Sequence, residues 1–476
     1  MRENEIYVLS SNPEIKETLR SMIINTLDAV LSSIDSDRCY SGIDPNDLRR
    51  IINSIEVLPE NGIGFDKTLK RVEEDVLPHL LSTWSTSYMP HLHSPALLEA
   101  IASELIIAIF NDSLDSWDQG PAATEIELIV IKKLCELFGY GEDSDGVFTS
   151  GGSGSNLSAV IQARDKFCNE QLNWDVKKKG LPAEYKKLRI YTSSISHFSF
   201  DKASHIIGLG YDNVVHLPVN EKCQIDTLKA AEIIKNDYED GYLPFLIVAT
   251  IGTTDFGSID NVKELKQIAD KYNMYLHCDA AYGSGAIMSS YSSRLGELSL
   301  ADSITIDFHK MFLLPISCSC LIVKNKKTLE CFELHADYLN REEDEEDGYV
   351  NLVGKAIQTT RRADALKVLI AFMTRGRDGY RSMIDRVIEN AQYFYNKIKD
   401  DPLFITGPKP ELSSVVFAIN KGDELNKRIR RALMSKGTII GQTVWKEKVM
   451  LKFTLLNPAL THEKIDELVK AIKEYK

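Results

Sequence analysis

From residue 91 to residue 365, helical stretches alternate with short apolar runs that are rich in β-branched residues. A run of this kind is typical of a buried strand, and strands that alternate with helices build a mostly parallel sheet. We therefore expect an α/β fold in which helices flank a mainly parallel sheet. The candidate strands, in chain order, are LRIYTSSI, NVVHLPV, FLIVATIG, MYLHCDA, SITIDF and SCLIV.

Two segments of different character flank this region. Residues 1–90 show helical periodicity and little visible chemistry, which predicts an N-terminal helical segment. Residues 366–476 begin with a long helical stretch and continue with strand-like runs and two further helices, which predicts a small α+β domain. The expected domains are therefore 1–90, a large domain at 91–365, and 366–476.

Composition narrows the class of partner. The 69 acidic residues exceed the 56 basic ones, and no basic stripe is interleaved with aromatic residues, so nucleic acid is not an expected partner. No uncharged apolar run reaches about 18 residues and the N-terminus lacks the apolar core of a signal peptide, which predicts a cytoplasmic protein without a membrane partner. Eight cysteines without CxxC pairs or histidine clusters predict neither a metal site nor a disulfide framework.

Lys310 and Asp279 are the first candidates for chemistry. Lys310 follows the strand-like run SITIDF, and Asp279 lies in another such run, 31 residues earlier. A lysine amine can bind an aldehyde covalently, and a nearby carboxylate can keep a pyridine nitrogen protonated so that the ring accepts electrons. Together the two residues predict a covalent cofactor site.

A glycine-rich stretch, SGGSGSNLSAVIQARD from Ser150, supplies a third element. Its glycines at 151, 152 and 154 let the backbone approach an anion closely, and the helical segment that follows offers free N–H groups to a phosphate. Phosphate in this loop, a ring nitrogen at Asp279 and an aldehyde at Lys310 would hold three corners of one flat molecule. The predicted cofactor is pyridoxal 5′-phosphate.

Further motifs extend this pattern from about Tyr88 to about Tyr380. With them, the chain resembles the group II pyridoxal-phosphate decarboxylases, which are the aromatic-L-amino-acid-decarboxylase-like enzymes of fold type I. Several motifs are more similar to the branch that acts on diaminobutyrate or lysine than to the aromatic or glutamate branches. Those motifs are DSWDQ, TTDFGSID, DFHK, HADYLN and TTRRADALK.

The resemblance implies a seven-stranded, mainly parallel sheet and a homodimer whose active sites lie at the subunit interface, with residues 1–90 as a dimerisation segment that helps to wrap the partner. It also implies decarboxylation of an L-amino acid to an amine and carbon dioxide. The expected substrate is L-2,4-diaminobutyrate, or else lysine or ornithine, and the diamine would serve polyamine or siderophore assembly. Aromatic, glutamate and sulfinoalanine substrates stay open, and so does a catalytically silent homologue that acts as a binding partner.

The family's cofactor contacts carry over residue by residue. Lys310 matches the anchor and Asp279 the partner of the ring nitrogen. His197 matches the histidine that stacks on the ring, Ala281 the small residue beneath it, and Thr253 a threonine near it. The contacts that the resemblance implies for the phosphate and its loop are Gly152, Ser153, Ser155 and His309.

The residue pair before His309 departs from the aromatic branch. That branch has Asn-Pro where this chain has Asp307-Phe308. An aspartate beside a phosphate is repulsive unless it points away or is paired. The sequence therefore argues against Asp307 as a direct phosphate ligand.

Tyr338, in HADYLNREEDEED, matches the family's loop tyrosine, which enters the neighbouring subunit's site and protonates the α-carbon after carbon dioxide leaves. Relatives with phenylalanine there release an aldehyde, so tyrosine favours simple decarboxylation. The acidic tract 342–347 begins four residues later and fits a mobile lid that attracts a cationic substrate. For the substrate itself, His93 corresponds to the segment near its carboxylate, and Asp118 could meet a distal ammonium group.

Overall fold

The computed structural model of the protein describes residues 8–34, 38–336, 339–340, 343 and 347–475. The chain divides into two compact units, one of Met1–Tyr88 with Arg428–Ile440 and the other of Met89–Lys427 with Gly441–Lys476. The three-part division at residues 90 and 365 stays a prediction.

The N-terminal segment is helical where it is described. Asn12 and Asp44 cap its first two helices, since each side chain accepts a hydrogen bond from the amide two residues later. A proline follows each cap, where its fixed φ suits the first helical turn. The expected helical character is therefore confirmed. The helices are α1 (Pro13–Ser32), α2 (Pro45–Asn53) and α3 (Phe65–Asp75).

A seven-stranded sheet organises the larger unit, in the order β2-β8-β7-β6-β5-β3-β4. All neighbours from β4 to β7 are parallel, whereas β8 runs antiparallel to both β7 and β2. The expected seven-stranded, mainly parallel sheet is confirmed. After a two-residue strand β1 (Tyr88–Met89), the strands are β2 (Asp145–Thr149), β3 (Leu188–Ser193), β4 (Val214–Leu217), β5 (Leu243–Thr250), β6 (Tyr275–Asp279), β7 (Ser303–Asp307) and β8 (Ser319–Val323).

Helices cover both faces of this sheet, which is why the central strand β5 carries apolar residues on both of its faces. Within β5, Ile247 and Ala249 belong to the core on one face, and Leu246 and Val248 to the core on the other. No helix in the described part of the chain is long and apolar enough to cross a membrane. The helices are α4 (Leu98–Phe110), α5 (Pro121–Leu137), α6 (Gly152–Leu172), α7 (Val176–Lys179), α8 (Ser199–Ile206), α9 (Thr227–Glu239), α10 (Val262–Lys271) and α11 (Ala365–Ile398).

The C-terminal part adds a smaller antiparallel sheet with the order β11-β12-β10-β9. Lys446 and Glu447 join β11 to β12, and both have a left-handed φ, at 48° and 62°. A two-residue type I′ hairpin requires this conformation at both positions. The mixture of strands and helices confirms the expected α+β character. Its elements are β9 (Phe404–Thr406), β10 (Ser414–Ile419), α12 (Asp423–Ser435), β11 (Ile439–Trp445), β12 (Lys448–Thr454) and α13 (His462–Lys473).

Candidate active site

A cleft of about 370 Å³ lies at the carboxyl ends of the large sheet's strands. Asp279 is the last residue of β6, Asp307 the last of β7, and the glycine-rich loop follows β2. Open α/β sheets bind their ligands at this edge because the strand ends and helix N-termini converge there. The structure brings together most of the predicted residues here: the cleft is lined by Gly152, Ser153, His197, Asp279, Ala281, His309 and Lys310.

Lys310 follows β7 by three residues and faces the end of that strand. Its Nζ lies 2.8 Å from Oδ2 of Asp307, whose side chain is only 2% exposed. Ser319 of β8 donates its hydroxyl to the other carboxylate oxygen of Asp307 at 2.5 Å. His309 contacts the carbonyl of Cys318 through Nδ1, at 3.0 Å. Asp307 therefore lines the cleft as a paired carboxylate.

Asp279 is held by two N–H donors. Its Oδ2 accepts from Nδ2 of Asn156 at 2.9 Å, and its Oδ1 accepts from the backbone amide of Ala281 at 3.2 Å. The side chain is buried, so these bonds fix the orientation of the carboxylate. The arrangement suits a carboxylate that must meet one particular ring nitrogen.

Asn156 is a residue that the sequence reasoning did not single out. Its Oδ1 lies 2.7 Å from the hydroxyl of Thr305 and 3.1 Å from Nε2 of His277, whose Nδ1 lies 2.8 Å from the hydroxyl of Ser303. Burial lowers the pKa of His277 to about 4, so this imidazole is neutral at pH 7. The strand period of two puts His277 and Asp279 on one face of β6, and that pattern was the available signal.

The glycine-rich loop fits a phosphate. Helix α6 begins at Gly152 after Gly151, which has no side chain to cap the first-turn N–H groups. A Cβ on Gly152 would lie 2.9 Å from both carboxylate oxygens of Asp307, so a larger residue does not fit there. Ser153 lines the cleft, whereas the buried Ser155 hydroxyl lies 2.7 Å from that of Thr149. The helix start therefore faces the cleft with backbone donors.

His197 and Ala281 both line the cleft beside Asp279. Burial lowers the pKa of His197, and the Asp279 carboxylate opposes that effect only in part. Thr253 is placed differently, because its buried hydroxyl lies 2.6 Å from that of Ser258. The threonines that line the cleft in its vicinity are Thr250 and Thr254.

The predicted substrate contacts His93 and Asp118 are not among the residues that line the cleft. His93 is half-buried, and its pKa is lowered first by burial and then by the charge of His309. Asp118 is exposed and accepts a hydrogen bond from the Ser116 hydroxyl at 2.6 Å. Tyr338 lies outside the described residues, as does most of the acidic tract 342–347.

These residues fit the cofactor that the sequence predicts. The buried carboxylate of Asp279, the amine of Lys310 and the uncapped start of α6 share one cleft. Among the described residues, no group of three or more His, Cys, Asp or Glu side chains is placed to hold a metal ion. The fold and the cleft together define an enzyme of fold type I that uses pyridoxal 5′-phosphate.

Comparison with known proteins narrows this class. Residues 46–420 match the family model described as the pyridoxal-dependent decarboxylase conserved domain. The chain belongs to the pyridoxal-dependent decarboxylase family, and it is a pyridoxal-phosphate-dependent carboxy-lyase. The resemblance drawn from the motifs is thus confirmed.

Individual relatives match over nearly their whole length. An L-2,4-diaminobutyrate decarboxylase of Rhizobium meliloti (strain 1021) is 35% identical over 98% of this chain and 93% of its own. One of Acinetobacter baumannii is 34% identical over 93% of this chain and 90% of its own.

Two solved structures are similar to this chain over nearly its whole length. The glutamate decarboxylase domain of a diaminobutyrate-pyruvate transaminase and L-2,4-diaminobutyrate decarboxylase from Vibrio parahaemolyticus is 33% identical with a TM-score of 0.89, over 99% of this chain and 97% of that one. Catharanthus roseus tryptophan decarboxylase, at 23% identity and a TM-score of 0.86 over 98% and 99%, shares the fold.

Proposed function

We propose that this enzyme decarboxylates L-2,4-diaminobutyrate to a diamine and carbon dioxide. The observation that carries the proposal is the identity of 35% and 34% to two enzymes of that name, over 98% and 93% of the chain. The cleft supports it because it contains a complete set of residues for the cofactor of this reaction. Lysine and ornithine, which also carry a distal amine, are the nearest alternatives.

Each residue of the cleft is proposed to contact a different part of the cofactor. Pyridoxal 5′-phosphate, when bound, supplies an electron sink for the bond that loses carbon dioxide. Lys310 would anchor it through Nζ, Asp279 would hold the proton on its ring nitrogen, and the start of α6 would hold the phosphate. His197, with a pKa lowered by burial, is mostly neutral at pH 7 and can pack against a flat ring.

Proton return to the α-carbon needs a donor that reaches the substrate. We assign this role to Tyr338, with His197 as its assistant, on the match of HADYLN to the family's loop. A loop that closes over the substrate would also exclude water and so protect the reacting carbon. His93 and Asp118 are proposed as substrate contacts from the sequence alone.

A homodimer with shared active sites is part of the proposal. Helix α4 exposes large apolar side chains along one face, where Leu98 is 78%, Ile101 52% and Leu105 43% exposed. A soluble monomer rarely leaves such a row uncovered, and a two-fold interface would bury the same patch on both subunits. We also propose a cytoplasmic location, because Cys135, Cys168, Cys278 and Cys320 are buried thiols outside any disulfide, and such thiols persist in a reducing compartment.

Carbon dioxide release by the cofactor-loaded enzyme tests the substrate. The panel consists of L-2,4-diaminobutyrate, ornithine, lysine, glutamate, aspartate and the aromatic amino acids. We expect the highest kcat/KM for diaminobutyrate, since specificity is a ratio of transition-state stabilities. A preference for acidic or aromatic substrates contradicts the substrate assignment, and no release from any of them indicates a silent homologue.

A further inference from the structure

Asp307 lies between the two parts of the cofactor site. Its Oδ2 is 2.8 Å from Nζ of Lys310, and both carboxylate oxygens face Gly152 at the start of α6. In the sheet register, Ser319 of β8 pairs with Asp307 on one side and with Thr149, just before the glycine loop, on the other. The β8 strand therefore places this carboxylate beside the phosphate cradle and the anchoring amine together.

The contact between Lys310 and Asp307 has a chemical consequence. A protonated lysine amine has no free electron pair, so it cannot attack an aldehyde until a base removes the proton. Lys310 must shed that proton each time it binds the cofactor, and a base within hydrogen-bond reach does this best. The carboxylate at 2.8 Å is in reach.

We propose that Asp307 is the base that takes the proton from Nζ of Lys310 when this lysine bonds to the cofactor aldehyde. The freed lone pair forms the nitrogen–carbon bond as one carbon–oxygen bond breaks, and Asp307 passes the proton to the oxygen. Asp307 then transfers a second proton from the same nitrogen, so that the oxygen leaves as water while the carbon–nitrogen double bond forms and keeps the third proton. The carboxylate is thereby restored, and no oxidant or reductant is needed. The inference rests on the cofactor site and is independent of the proposed substrate.

Other titratable groups are less well placed for this task. Nε2 of His309 lies 3.7 Å from Oδ2 of Asp307, but the Nδ1 of this ring is engaged with Cys318. His197 and Asp279 also line the cleft, and Asp279 is bound to Asn156 and to the amide of Ala281. On the side of β8, the described hydrogen-bond donor to the Asp307 carboxylate is the Ser319 hydroxyl, which is neutral.

The test is the rate of cofactor capture, which needs no substrate. Enzyme stripped of cofactor by dialysis against hydroxylamine is mixed rapidly with pyridoxal 5′-phosphate, and the visible absorbance of the lysine-bound form is followed from pH 6.5 to 9. We expect Asp307→Asn to capture the cofactor about 10²-fold more slowly at pH 7, the usual scale of general-base assistance. Its rate should rise about tenfold per pH unit, because hydroxide must then remove the proton in place of the carboxylate, whereas the wild-type rate should vary little.

Two probes separate the proton transfer from charge repulsion. Pyridoxal, which lacks the phosphate, should show the same loss in Asp307→Asn, because the loss does not depend on a carboxylate facing a phosphate. Asp302→Asn makes the same change just before the opposite end of β7, where that side chain accepts from the amide of Leu276, and should capture cofactor like wild type. Borohydride trapping quantifies the covalent product, with Lys310→Ala as the blank.

Equal capture rates in wild type and Asp307→Asn at every pH overturn the proposal. A wild-type rate that itself rises about tenfold per pH unit overturns it as well, and this measurement requires no folded variant. Restoration of capture in Asp307→Ala by added formate, in proportion to its concentration, supports the proposal because a small carboxylate then replaces the missing base. Failure of the substrate panel leaves all these outcomes unaffected.

Discussion

At the scale of single residues, partners decide what each buried group of this site can do. Lys310 and Asp279 could be found in the sequence because each follows or ends a recognisable strand. Asn156 could not, since its role depends on reaching Asp279 across 123 residues of chain. The buried amide serves as a bridge whose oxygen and nitrogen are both engaged.

Asp279→Asn tests the carboxylate at the ring nitrogen. The variant keeps the size of the side chain and removes its charge, so we expect kcat to fall by about 3–4 kcal/mol of transition-state free energy, the scale of preorganised charge in active sites. Carbon dioxide release under saturating substrate measures this effect. Turnover near the wild-type value removes Asp279 from the mechanism. Asp240→Asn, at an exposed carboxylate just after α9, is the matched control for protein quality.

At the scale of elements, β6 and β7 end, and the antiparallel β8 begins, near the start of α6. In β6, alternate positions direct His277 and Asp279 to the same face, and Asn156 from α6 contacts both. The antiparallel β8 separates β7 from β2, and Ser319 is its residue at the site. The site is thus built at the meeting of three strand ends and one helix start.

Burial of His277 makes the stability of the folded protein depend on pH. Its pKa is about 4 in the folded protein and about 6.5 when unfolded, so the unfolded chain binds more protons between these values. Stability therefore falls as the pH drops through this window, by about 3 kcal/mol if the histidine acts alone. We expect His277→Gln to lose much of this dependence in urea unfolding between pH 7 and pH 4. The exposed His205, changed to Gln, should keep it, and equal slopes for both variants and wild type contradict the assignment.

At the scale of the whole molecule, the proposed dimer would complete each site with Tyr338 from the neighbouring subunit. The exposed apolar face of α4 supports an interface between copies of the chain. Such an arrangement makes activity depend on two chains at once. It can therefore be tested by mixing two inactive forms.

Lys310→Ala and Tyr338→Phe provide these forms. A hybrid dimer contains one site with Lys310 from one chain and Tyr338 from the other, so we expect refolded equimolar mixtures to regain about a quarter of wild-type amine formation. Each variant alone should form little amine, and Tyr338→Phe should release more aldehyde and peroxide. Amine, aldehyde and peroxide are measured together. No gain on mixing places the tyrosine in its own subunit's site, and an unchanged product ratio in Tyr338→Phe contradicts its role as proton donor.

Local signals in the sequence were sufficient for much of this protein. Helix and strand periods and the glycines of the phosphate loop act over a few residues, so they can be read from the chain directly. The α/β class, the cofactor and the residues Lys310 and Asp279 follow from such signals and from the motifs that share them. The family could be identified from the sequence for the same reason, because its motifs are local.

Only the tertiary structure decided which side chains meet. The sequence argued that Asp307 must point away from a phosphate or be paired, and the structure shows it paired with Lys310 and Ser319. It turns the Thr253 hydroxyl to Ser258 and links Asn156 to Asp279. These contacts depend on the order of the strands and on the antiparallel position of β8 between β7 and β2. Both are determined by pairing between segments that are distant in the chain. No local pattern encodes them, because the partners lie far apart in sequence and are joined only when the sheet is complete.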